Sequence, residues 1–206
     1  EDAIARMPDE LIADPSPGQA MMYSSGTTGT PKGIRLPLPE GPYDTPPAFA
    51  PLMAHRYKTR PGTRFVLSAP LYHSGPLAMA LAEQSLGATV LLFERFDDES
   101  LLRAIAQHRP ARGQFVPTMF VRLLKLPAHV RNRYDVSSLE VAIHSAAPCP
   151  REVKAQMMEW WGPVIWETYG GMEGAATIAK PHRWIEKPGT VGRSIRGVRL
   201  RILDDD

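Results

Sequence analysis

The chain has 206 residues, 43% of them hydrophobic, and 24 Lys and Arg against 22 Asp and Glu give a formal charge of +2. This is enough for a sizeable core without disulfides or a structural metal, and the single Cys149 excludes a disulfide framework or a cysteine zinc site and fits a reducing, cytoplasmic setting. Acids and bases are mixed, so nothing forms the basic stripe of a nucleic-acid binder; no apolar run is long enough to span a bilayer, and no leader pattern opens the chain.

Residues 20–23 read as a strand that launches the stretch 23–33, YSSGTTGTPKG. Its glycines let backbone N–H groups turn inward, its hydroxyls donate further bonds, and Lys32 adds a compact positive charge, which together suit a polyphosphate. It is not a Walker loop, because Pro31 stands directly before the lysine where that motif needs glycine. Residues 36–51 are proline-dense and read as a loop. β-Branched or apolar runs then recur at 64–68, 89–93, 113–116, 139–145 and 164–167, spaced by about 25 residues, the length of one strand, one helix and two loops. Between them lie helical patterns. Residues 98–108 open with acids and carry Leu101, Leu102 and Ile105 on one face; 117–126 open with proline; 150–161 end before Gly162-Pro163. This alternation implies βαβ units, hence an α/β fold with a mostly parallel sheet and covering helices. At the end, 199–203 read as a strand running into acidic residues with no closing element behind it, so both ends look cut.

The stretch 23–33 closely resembles the phosphate signature of the adenylate-forming superfamily, which includes acyl-CoA synthetases, luciferases and peptide-synthetase adenylation domains. A second segment, ETYGGMEG at 167–174, resembles that family's adenine and Mg²⁺ motif. Weaker agreement comes from PLYHSG at 70–75, FVPTM at 115–119, HSAAP at 144–148, PGTVGR at 188–193 and GVRLRI at 197–202. The resemblance covers residues 20–206 and implies part of the large N-terminal domain of such an enzyme, of fatty-acyl-CoA synthetase type, with the front of that domain and the mobile C-terminal domain lying outside the chain. The 206 residues alone are therefore expected to show no ligase turnover.

Carried over residue by residue, Ser24, Ser25, Gly26, Thr27, Thr28, Gly29 and Lys32 would hold the ATP phosphates, with Thr28, Lys32 and Glu173 the catalytic set. Ala146, Ala147, Pro148, Glu167, Thr168, Tyr169, Gly170, Gly171 and Met172 would bind the rest of the nucleotide. Glu173 and Ser24 would hold Mg²⁺, a hard cation suited to oxygen donors. His73, Val116 and Met119 would line the acid pocket, with His73 as wall rather than base, since a carboxylic acid is already ionised at neutral pH. ATP, Mg²⁺ and coenzyme A are the implied cofactors and co-substrates, a hydrophobic carboxylic acid is the implied partner, and a homodimer is allowed. Met172 departs from the family's Thr or Ser, and losing one charge-assisted hydrogen bond is worth about 1.5–3 kcal/mol. Three alternatives share these features: an adenylation domain loading a carrier-protein thiol, a family member that binds nucleotide or acyl ligand without adenylating, and a plain α/β domain with a Ser/Thr-rich loop.

Overall fold

The computed structural model describes residues 2, 4–24, 29–171 and 174–203, and they divide into two compact units, 1–46 and 47–206. In the first unit, β1 (Met22–Tyr23) and β2 (Gly33–Ile34) form a short antiparallel ribbon. The ribbon continues past its strands: Ser24 N–H donates to the Lys32 carbonyl, and Lys32 N–H donates to Ser24 Oγ, each at 2.9 Å. The strand expected at 20–23 is thus limited to its last two residues, because pairing exists only where β2 faces it.

The second unit runs α1 (Ala50–Arg56), β3 (Arg64–Leu67), α2 (Ser74–Ser85), β4 (Thr89–Leu92), α3 (Asp98–His108), β5 (Arg112–Phe115), α4 (Pro117–Lys125), α5 (Ala128–Arg131), β6 (Val141–His144) and α6 (Arg151–Trp161). It then continues through β7 (Ile165–Gly171), β8 (Gly174–Ala179), α7 (Pro181–Glu186) and β9 (Arg193–Ser194). Among the described residues these strands make one sheet, ordered β4-β3-β5-β6-β7-β8-β9. The ladders from β4 to β7 are parallel, and those joining β8 and β9 are antiparallel. The expectation of an α/β fold with a mostly parallel, helix-covered sheet is met.

The interior strands are covered on both faces, which is why 65–67 and 141–143 read as unbroken apolar runs rather than alternating ones. Phe115 packs edge-on against Trp161 at 5.2 Å between ring centroids, and Phe120 meets both rings, so α4 and α6 share one aromatic cluster with β5. Gly113 is required beneath it, since a Cβ there would stand 2.5 Å from Val66 Cγ1 and 2.9 Å from the Phe115 ring. The α3 start is set by Asp97, whose carboxylate accepts the Ser100 N–H at 2.8 Å.

Three expectations need correction. The proline-dense loop ends earlier than residue 51, because Pro51 sits in the first turn of α1, where its missing N–H is harmless. The helix α2 occupies 74–85, where the sequence reading places only the end of the 70–75 segment and no helix. No strand forms at 199–203 among the described residues; the sheet closes with β9 instead, pressed so near β8 that a Cβ on Gly192 would stand 2.0 Å from the Ile178 carbonyl oxygen.

Candidate functional site

In an open parallel sheet, ligands bind beyond the carboxyl ends of the strands, above all where neighbouring connections leave toward opposite faces. Here β3 feeds α2 on one face, whereas β5 and β6 feed α4 and α6 on the other. The two faces are identifiable by contact. Gln114 of β5 approaches Gly75 of α2, and Trp166 of β7 meets Tyr57 just after α1. Phe115 and His144 point the opposite way and meet Phe120 of α4. The switch therefore lies between β3 and β5, and 70–75 and 116–119 leave the sheet on its two sides.

His73 caps α2 from an extended conformation, is exposed, and stacks obliquely on Tyr72 at 4.5 Å between centroids. Val116 is half-buried and caps α4. Met119 is 6% exposed, and its Sδ accepts the Ser68 hydroxyl at 3.5 Å, so it knits the end of β3 to α4. Ala146, Ala147 and Pro148 are exposed in the turn after β6, with Ala146 at φ 74°, a left-handed conformation that a residue with a Cβ adopts at a cost.

Glu167, Thr168, Tyr169, Gly170 and Gly171 lie on β7 itself rather than on a loop. The register against β8 shifts between Tyr169 and Gly170, a bulge of the kind that re-aims side chains beside sites. Tyr169 is 57% exposed. Thr168 Oγ1 lies 3.0 Å from the buried Tyr57 hydroxyl, whose pKa is pushed up to about 12 chiefly by burial. Tyr57 is held in turn by Arg112, which donates to the carbonyls of Tyr57 and Lys58.

Beneath this edge sits a charged cluster that sequence reasoning missed. Lys154 Nζ of α6 donates to Glu167 Oε2 at 2.7 Å, and His144 Nε2 stands 3.4 Å from the same oxygen without an aligned hydrogen bond. The Lys154 and His144 side chains are fully buried, and that of Glu167 is 12% exposed. Burial depresses the pKa of His144 and of Lys154, with Glu167 partly opposing both shifts. Burial raises that of Glu167, but His144 and Lys154 together pull it below the ordinary carboxylate value. The signal was present in α6, where Lys154 interrupts the buried stripe that continues with Met157 and Trp161. Cys149 is a poor nucleophile, since burial pushes its thiol up to about 11.

Ser25, Gly26, Thr27, Thr28, Met172 and Glu173 lie outside the described residues. Lys32 and Gly29 are exposed in the first unit, and Ser24 Oγ, already accepting from Lys32 N–H, keeps its own proton and a further lone pair. As an oxygen donor it fits the chemistry of Mg²⁺. A cavity of about 550 Å³, lined by Arg56, Ile178, Lys180, His182 and, from the 188–193 segment, Thr190 and Arg193, opens beside β8 and α7, away from the carboxyl ends of β3, β5 and β6.

The family model described as "AMP-binding enzyme" matches residues 5–206. A probable CoA ligase, CCL5 of Humulus lupulus, is 32% identical over 195 residues, covering 90% of this chain and 34% of that protein. Among solved structures, the amide bond synthetase McbA from Marinactinospora thermotolerans superposes with a TM-score of 0.75 at 26% identity, over 90% of this chain and 36% of the other. The o-succinylbenzoate CoA synthetase of Bacillus subtilis, solved with its acyl-adenylate intermediate, does so with a TM-score of 0.72 at 26% identity, again over 90% and 36%. The chain thus spans about a third of the length of the relatives it matches. On the extent of that match, and with both motifs in order along it, the chain belongs to the AMP-binding enzyme family.

Proposed function

We propose that this chain forms the nucleotide- and acid-binding part of an ATP-dependent, AMP-forming ligase that activates a hydrophobic carboxylic acid as acyl-AMP and passes it to the thiol of coenzyme A. The observation that carries this reading is positional. Four segments similar to the family's ligand-binding stretches follow or occupy the carboxyl ends of β3, β5, β6 and β7, which neighbour one another in the sheet.

In this reading the substrate carboxylate attacks the ATP α-phosphorus and pyrophosphate leaves. Catalysis is alignment and charge neutralisation rather than proton transfer, because the acid is already ionised. Lys32 and the backbone and hydroxyl donors of 24–29 balance the charge of the departing pyrophosphate. The exposed Tyr169 ring and the small turn 146–148 offer flat surfaces to the adenine. The switch between β3 and β5, bordered by His73 and Val116, takes the acid. Glu173 and Ser24 would hold Mg²⁺, which when bound neutralises phosphate charge. The hydrophobic character of the acid rests on resemblance around 114–126, and the relatives named above include both CoA ligases and an amide bond synthetase, so the acceptor is part of the test.

The test has two stages. Mg-ATP should protect Lys32 of the chain from amine-reactive labelling; no protection at any nucleotide concentration overturns the reading. In a protein carrying this chain at the length of its relatives, pyrophosphate release should depend on an added carboxylic acid and rise with coenzyme A. Binding without release favours the second reading, a non-adenylating binder, which Met172 motivates. Met172→Thr should then restore release by at least about tenfold.

A further inference from the structure

The cavity beside β8 and α7 has no part in the reaction proposed above, and its wall is strongly charged. Arg56, Lys180, Arg183, Lys187 and Arg193 line its volume of about 550 Å³, with Glu186 as the acid among them. Among the described residues, Arg183 alone of those five has an ion-pair partner, Glu186 at 3.1 Å. Five cations therefore share one concave space with a single carboxylate, in a chain whose formal charge is only +2 overall. Like charges gathered in this way repel one another. A bound anion relieves that repulsion, and a cleft lined by one sign of charge concentrates the field that attracts it. The volume is that of a small-molecule site.

Contacts within the unit fix the wall. Lys180 Nζ stands 5.4 Å from the centroid of the Trp166 ring, and Trp166 meets the buried Tyr57 edge-on, so the lysine that follows β8 is held over the sheet. The 188–193 segment, similar to the family yet given no task by the reaction, is pinned to β8. Thr177 Oγ1 donates to the Val191 carbonyl at 2.5 Å, and Gly192 lies too close to Ile178 to admit a Cβ. Gly192 N–H donates to Thr190 Oγ1 at 3.1 Å, an accepting hydroxyl that keeps its own proton to donate. Guanidinium, ammonium and hydroxyl donors thus line one space from α1, the turn after β8, α7 and β9. Donors converging from several elements suit a tetrahedral oxyanion, whose oxygens face every direction, better than a planar carboxylate.

We propose that this cavity binds a multiply charged phosphate, either free pyrophosphate or the phosphate groups of a larger organic molecule, through residues other than those of the 23–33 loop. Amine-reactive labelling read residue by residue tests it, with exposed Lys187 reporting on the cavity and Lys32 on the loop. Pyrophosphate at physiological ionic strength, where loosely held surface ions are screened, should protect Lys187. Arg193→Gln and, separately, Arg56→Gln should raise the concentration for half protection by about tenfold or more, the effect of one lost charge-assisted hydrogen bond, without moving that of Lys32. Arg103→Gln removes the same charge from an exposed position on α3 and should leave Lys187 protection unchanged. Adenosine 3′,5′-bisphosphate identifies the source. Half protection at a concentration about tenfold lower than for pyrophosphate assigns the site to a phosphorylated organic molecule, and equal or weaker protection assigns it to the free anion. Absence of Lys187 protection by both probes overturns the proposal, as does equal protection by citrate or an equal effect of all three arginine variants. Protection of Lys187 with none of Lys32 by Mg-ATP would sustain this site and overturn the function proposed above.

Discussion

Ala146 stands at φ 74° in the exposed turn between β6 and α6, and its methyl group is what makes that conformation costly. Ala146→Gly should therefore raise unfolding free energy by about 0.5–1 kcal/mol, net of the added freedom of the unfolded chain, as read from urea denaturation. A loss of stability would mean that the methyl group makes a compensating contact. His144 carries a pH dependence of definite sign. Burial holds its folded pKa below the ordinary 6.5, so the unfolded imidazole takes a proton that the folded one refuses. Its contribution is fully present above 6.5 and is lost as pH falls below that value, at up to about 1.4 kcal/mol per pH unit. Glu167 acts in the same direction but lower, since its depressed pKa keeps the pair with Lys154 intact above 4.5 and loses it as pH falls through the folded value. His144→Gln should flatten the stability profile just below pH 6.5 while leaving the more acidic limb, set by Glu167, in place. An unchanged profile would show that His144 does not titrate on unfolding.

Among the elements, β5 is the most tightly constrained at one position. Gly113→Ala would drive a methyl group into Val66 and the Phe115 ring, and should cost about 1–3 kcal/mol without changing the fold. A neutral result by denaturation would mean that both side chains relax freely. The elements also show which signals the sequence carries. The α3 helix was readable from end to end, because its acids, apolar face and cap are local features. The α2 helix was not, because SGPLAMALAEQS is apolar around most of its circumference and begins with Ser-Gly-Pro, so neither periodicity nor composition separates it from a loop. At 164–167 the sequence reads as a strand, and pairing with β8 carries that strand on through Gly171, an extension that two glycines do not signal.

For the whole molecule, the continuous apolar core runs from Ala50 to Ile165, wholly within the unit 47–206. A chain beginning at Pro47 should therefore fold cooperatively, with a melting temperature within a few degrees of the complete chain, as measured by circular dichroism. Loss of cooperative melting would show that 1–46 supplies part of the core. The sequence by itself determined the class of fold and the family, because hydrophobic period, turn chemistry and motif order are written in consecutive residues. It did not determine that β3 lies between β4 and β5, which creates the switch bordered by His73 and Val116. Nor did it reveal Arg112 bracing Tyr57 against Thr168, or Lys154 beneath Glu167. Those partners stand 13 to 111 positions apart, and only the register of parallel strands, with helices packed across them, decides which distant side chains share one desolvated space.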